Sequence, residues 1–138
     1  MKAEEVLSFV KENPVCAIAT VDGDQPHVRW FLSLLFDDGK IYFTTGATKS
    51  VWKQMAANPK VELCYFAPDF SRILRITGEI EEVDDRAKKQ KLIETQDYLK
   101  GFSSDDPIFK LLRVIKGKAR FWTMANNLRE SELETVEI

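Results

Sequence analysis

The sequence predicts a mainly-β domain of the α+β class, with about six antiparallel strands curled into a small barrel and flanked by helices. Three observations carry that prediction. Runs rich in β-branched and aromatic residues recur along the chain, separated by Asp-Gly, Asn-Pro and Pro-Asp turn signals. The first three runs are joined by tight turns, which implies an antiparallel meander. Gly78, in the middle of the long run 72–83, marks a bulge or sharp bend of the kind that lets a sheet close on itself.

Ala3, Val6, Leu7 and Val10 recur at helical spacing, so residues 2–12 read as a helix that Asn13-Pro14 ends. A strand over 15–21 turns at Asp22-Gly23-Asp24 into a second over 26–36, where Val28, Trp30, Leu32, Leu34 and Phe36 alternate with His27, Arg29, Phe31, Ser33 and Leu35. Asp37-Asp38-Gly39 leads to a third strand over 41–45. After a short helix, residues 61–66 are apolar on both faces (Val61, Leu63, Tyr65 against Cys64, Phe66), the mark of a central strand. The run 72–83 follows. Asp84-Asp85 caps a charged helix through Thr95, and Asp105-Asp106-Pro107 opens another carrying Ile108, Leu111, Leu112 and Ile115. Residues 118–124 form the last strand, and the polar tail from Asn126 is expected to be loosely held. The 138 residues fit one domain, 1–138, without internal repeats.

Twenty basic against 22 acidic side chains leave a net charge of −2, so no overall field draws nucleic acid or an anionic membrane. Cys16 and Cys64 lie in strand-like runs and read as reduced, buried thiols, although spacing leaves a single disulfide open. The N-terminus lacks the pattern of a signal peptide and no stretch reaches transmembrane length, which predicts a cytoplasmic protein. The acidic run Glu79, Glu81, Glu82, Asp84, Asp85 has no His beside it and reads as a solvated edge, so no metal site is expected. His27, the only His, shares a strand face with Arg29 and reads as a solvent-facing residue, with a proton relay or a ligand as the other reading; Trp30, Trp52 and Trp122 read as core anchors.

The chemistry-bearing segment is Thr44-Thr45-Gly46-Ala47-Thr48-Lys49-Ser50. It runs a strand through a turn into a helix whose expected N-cap is Thr48, with Val51, Trp52, Met55 and Ala56 at helical spacing behind it. The first amides of a helix lack intrahelical partners and carry the positive end of its dipole. Two hydroxyls and an ammonium beside them would suit a phosphoester, each charge-assisted contact contributing about 1.5–3 kcal/mol. The other reading is an ordinary capped surface helix. A Walker A loop is excluded, because Thr48 and Phe43 stand where that pattern needs glycines.

Three features taken in order resemble the pyridoxamine 5′-phosphate oxidase-like family of FMN-binding split β-barrels. They are Ala19-Thr20-Val21-Asp22-Gly23-Asp24-Gln25-Pro26, the strand His27-Val28-Arg29-Trp30-Phe31, and Asp38-Gly39-Lys40-Ile41-Tyr42-Phe43-Thr44-Thr45 leading to Lys49-Ser50. The likeness covers roughly residues 5–124. It implies a six-stranded split barrel and a homodimer with two cofactor pockets at its interface. Thr48, Lys49 and Ser50 would hold the flavin phosphate, and Phe43, Thr44 and Thr45 would contact the cofactor. Arg29 would reach the phosphate or the ring system, with Trp30 and Phe31 offering backbone groups beside the isoalloxazine and Trp122 packing near it. Deazaflavin or haem are the other ligands that such a pocket takes among relatives.

Two departures separate this chain from the pyridoxamine phosphate oxidases themselves. Those carry a Lys at the end of the second-strand motif, where Leu34 stands here, and a C-terminal Arg-x-His arrangement that residues 123–129 do not reproduce. The resemblance therefore implies a flavoprotein, an FMN-dependent oxidoreductase acting on a small organic electron acceptor rather than on pyridoxamine phosphate. The alternative is a non-catalytic module that binds or senses flavin or haem.

Overall fold

In the structure, a computed structural model that describes residues 2–138, helix α1 (Ala3–Glu12) lays Val6, Phe9 and Val10 on the core. Phe9 meets Phe121 edge to face at 5.2 Å, and the Arg72 guanidinium lies over both rings. The helix ends as Asn13 donates from its backbone and side-chain nitrogens to the Phe9 carbonyl, and Pro14 prevents continuation.

Strands β1 (Val15–Asp22) and β2 (Gln25–Leu32) form the expected hairpin, with Gly23 supplying the positive φ (62°) that its turn needs. The expected continuous strand over 26–36 breaks at Ser33, whose amide bonds back to the Pro14 carbonyl. Leu34–Leu35 starts afresh as β3 and pairs with β4 (Ile41–Gly46) through a turn in which Gly39 has φ +73°.

The meander stops there. Strand β4 takes its second neighbour from the far end of the chain, not from β2, and the sheet order is β2-β1-β5-β6-β7-β4-β3. Strand β5 (Lys60–Phe66) sits between β1 and β6 (Ile73–Glu82), central as expected, and buries Val61, Leu63 and Tyr65. Gly78 does mark a bulge, because the β6–β7 register shifts between Thr77 and Glu79. A Cβ at Gly78 would lie 3.0 Å from both the Ile115 carbonyl oxygen and a Val114 methyl, so the close approach there requires glycine.

Helix α2 (Ser50–Ala57) and helix α3 (Arg86–Thr95) complete the frame, α3 being capped by the Asp85 carboxylate accepting from the Lys88 amide at 3.0 Å. The helix expected after Pro107 does not form. Residues Phe109–Trp122 are one 14-residue strand, β7. The physical reason is visible in its burial. Adjacent Leu111 and Leu112 are both buried, but Leu112 belongs to the main core inside the curled sheet and Leu111 to a smaller core beneath α3 with Leu34, Tyr42, Leu92, Leu99 and Phe109. A strand apolar on both faces loses its alternation and mimics helical spacing.

Among the described residues the sheet thus has eight strands rather than six, counting the short β3 and β8 (Val136–Glu137), which pairs with β7. The tail returns to the sheet, and the Ile138 amide bonds to the Gly117 carbonyl. The class is the expected mainly-β antiparallel one. The sheet path begins at β2 and ends at β3, neighbours in sequence, so its two edges meet at Ser33 and part on either side. Among the described residues no helix is long and apolar enough to cross a membrane.

Candidate functional site

Strand β2 pairs only with β1 among the described residues, which leaves the backbone groups of its other edge outside the ladder. Between that edge and β4 lies a cavity of about 290 Å³. Trp30, Phe31 and Leu32 line it from β2; Thr44, Thr45 and Gly46 from β4; Lys49 from the turn before α2; and Tyr98, Leu99, Phe102 and Phe109 from the segment after α3 and the start of β7. The walls are mostly apolar and the polar groups few, the make-up of a small-molecule site.

One of those polar groups is unsatisfied. Thr45 Oγ1 is buried without a hydrogen-bond partner among the described residues, a condition that normally costs about 1–3 kcal/mol. The start of α2 is equally open. Its cap position is held by Lys49 rather than by the expected Thr48, and no side chain caps it. The Lys49 amide is engaged by the Gly46 carbonyl at 3.0 Å, but the first amides of the helix proper have no intrahelical acceptor. Thr48, Lys49 and Ser50 are exposed there.

Across the start of α2 lies a second, more polar groove of about 680 Å³, lined by Asp22, His27, Arg29, Ser50, Lys53 and Gln54 among others. The Arg29 guanidinium donates from Nη1 to Thr20 Oγ1 (2.7 Å) and from Nη2 to Gln54 Oε1 (2.9 Å). Desolvation lowers its pKa from the usual arginine value. Among the described residues no cluster of three or more His, Cys, Asp or Glu could hold a metal ion.

Of the residues singled out in the sequence, Trp30, Phe31, Thr44, Thr45 and Lys49 converge on the cavity, while Arg29 and Ser50 line the adjoining groove. The Phe43 ring instead packs in the main core, edge to face with Phe31 at 5.5 Å, which leaves its backbone for the site. Trp122 stands at the opposite end of β7 from Phe109, with the Arg75 and Arg120 guanidinium groups over its ring at 5.5 and 5.6 Å, and its Nε1 is buried without a partner among the described residues. Trp30 is no core anchor, being 63% exposed. His27 is half-buried and faces the groove.

Sequence reasoning missed Tyr98, Leu99 and Phe102, which come from the stretch between Thr95 and Asp105 to which it assigns no element. It also missed Thr20 and Gln54. Thr20 was findable, because Cys16 and Ile18 alternate with it on the inward face of β1.

Residues 3–124 match the model of a protein family described as pyridoxamine 5′-phosphate oxidase. The chain belongs to this family. The curated pyridoxine/pyridoxamine 5′-phosphate oxidase of Pseudomonas paraeruginosa is 40% identical over 67 residues, 48% of this chain. The matched stretch spans only 31% of that enzyme's length. A solved nimc/nima family protein from Clostridium acetobutylicum is 34% identical, with a TM-score of 0.82 over 99% of this chain and 93% of its own. A pyridoxamine 5′-phosphate oxidase-related, FMN-binding protein from Nostoc punctiforme has a TM-score of 0.65 at 14% identity, covering 98% of this chain and 95% of its own. A heme binding protein from Mycobacterium smegmatis has 0.76, also at 14%, covering 98% and 57%. The last two establish fold alone. The family's split-barrel class agrees with the parted sheet edges.

Proposed function

We propose that this chain binds FMN in the cavity between β2 and β4 and acts as a flavin-dependent oxidoreductase on a small organic electron acceptor. The observation that carries the reading is the unsatisfied Thr45 hydroxyl, buried in the wall of a largely apolar slot whose other side is an unpaired strand edge. A planar heterocycle with carbonyl and ring-nitrogen groups would satisfy both. Lys49 and the uncapped start of α2 supply donors for a phosphate, with Arg29 and Ser50 on the groove side. Once bound, the flavin would supply the electron transfer; the chain's own task is to anchor, orient and keep water from the ring.

Pyridoxamine phosphate is a poor candidate substrate. The position where the oxidases carry a lysine is Leu34, which is buried in the small core beneath α3 and offers no cation.

A homodimer belongs to the same reading. The outward face of β2 carries Val28, 70% exposed, with Trp30 and Leu32, and the row continues through Phe66 and Phe70. Trp30 meets Phe66 edge to face, and Phe66 stacks on Phe70 at 5.2 Å. Such a contiguous apolar surface suits burial against a second copy. The two unpaired cysteines fit a reducing, cytoplasmic setting.

The test is direct. Protein purified without added cofactor should carry a flavin absorbance band and release FMN, identified by mass. Lys49→Ala should weaken FMN binding about tenfold or more through loss of a phosphate contact. Unaltered affinity in that variant, or a released ligand other than a flavin, would remove the assignment.

A further inference from the structure

Behind Arg29 lies a polar pair to which the flavin reading gives no task. Thr20 is fully buried and Gln54 is 9% exposed, yet both are polar and come from different elements, β1 and α2. Thr20 Oγ1 donates to Gln54 Oε1 at 2.6 Å, and the same two oxygens accept from Arg29 Nη1 at 2.7 Å and Nη2 at 2.9 Å. The three contacts close a ring that contains both terminal nitrogens of the guanidinium. Because that group is planar and rigid, holding two of its nitrogens fixes its plane. Its remaining donors are left for the groove, where Ser50 and Lys53 stand beside it and Asp22 is the one carboxylate among the lining groups.

The register explains how the pair finds Arg29. Ile18 lies opposite Arg29 and Thr20 opposite His27 on paired antiparallel strands, so Thr20 and Arg29 are diagonal neighbours on the inward face. Gln54 reaches them from the middle of α2, the helix whose first turn supplies Ser50. Arg29 is therefore tied to the same helix that would receive the phosphate. An untethered arginine must give up side-chain freedom on binding an anion, whereas one already fixed does not.

We infer that Thr20 and Gln54 are positioning residues that preset the Arg29 guanidinium for a phosphate ester and thereby set the preference for FMN over riboflavin. The inference rests on the flavin reading above. The two flavins differ only in the phosphate, so the ratio of their dissociation constants isolates the contribution of the clamp.

Titration of the ligand-free protein with each flavin, followed by flavin fluorescence, measures that ratio. Thr20→Val keeps the side-chain shape but removes the hydroxyl, and Gln54→Met keeps length without the carbonyl. Each should cut the FMN-to-riboflavin preference about tenfold while leaving riboflavin affinity within about twofold. Thr20→Ser should restore the preference. In an Arg29→Ala background, Thr20→Val should have no further effect, because the clamp then has nothing to hold. Equal losses for both flavins, a preference that survives both single variants, or additive losses with Arg29→Ala would each overturn the clamp and leave the flavin site standing. A wild-type protein that binds neither flavin would overturn the clamp and the flavin reading together.

Discussion

Thr45 and Cys16 show how single polar atoms in this chain tie stability to function. The Thr45 hydroxyl is buried without a partner among the described residues, a destabilising feature in the ligand-free protein that a cofactor could satisfy. Thr45→Val should raise the stability of the ligand-free protein by about 1 kcal/mol and weaken FMN binding, a pair of opposite effects that denaturant melts and flavin titration can read. Cys16 sits in the core, its sulfur 3.8 Å from Ser33 Oγ, which is 2.7 Å from the Tyr65 hydroxyl. Burial pushes the thiol from 9.0 up to about 11, against the opposing hydrogen bonds from Tyr65 and Ser33. Burial likewise raises Tyr65 well above its ordinary value, with Cys16 adding to the effect. The unfolded chain releases the Cys16 proton near pH 9.0 and the folded chain holds it to about 11, so stability is whole below pH 9.0 and falls as pH rises toward 11. Urea midpoints measured across that interval should drop, and Cys16→Ala should flatten the slope.

At the scale of elements, the β6–β7 pair tolerates little at Gly78. Gly78 faces the Ile115 carbonyl so closely that Gly78→Ala must shift backbone as well as side chain. It should cost about 1–3 kcal/mol, measured as a lowered denaturant midpoint. Gly117 differs, because a Cβ there would fall 2.7 Å from Ile138 Cγ1, a side chain at the last position of the sequence. Gly117→Ala should displace Ile138 and speed hydrogen exchange at its amide while the rest of the sheet keeps its protection. Of these elements, α1, the β1–β2 hairpin, β5 and α3 were legible: α1 shows a helical period, the hairpin its Asp-Gly turn, α3 its Asp cap, and β5 is a short apolar run bounded by Asn58-Pro59 and Pro68-Asp69. Strand β7 was not, since its two buried faces serve two cores and erase the period of two that marks a strand.

For the molecule as a whole, the proposed dimer would use the exposed apolar face of β2 as the contact between copies. Val28 lies on that face but outside both the cavity and the groove. Val28→Asp should therefore yield a monomer by sedimentation while leaving the circular dichroism of the fold intact. If each cofactor pocket needs both copies, the same variant should lose most of its bound flavin. A dimer that persists in this variant would place the interface elsewhere.

The sequence alone determined the family, the antiparallel class and the strand–turn–helix at residues 44–50, because these depend on local residue types read in order. It also named five residues that converge on the cavity: Trp30, Phe31, Thr44, Thr45 and Lys49. Only the tertiary structure decided that β4 pairs with β7 and not β2, which parts the sheet edges and makes the cavity. Only it brought Tyr98 and Phe102 over that cavity, and Thr20 and Gln54 behind Arg29. Those contacts join residues distant in sequence, and long-range strand pairing follows from how the whole chain buries its apolar faces, which no local pattern records.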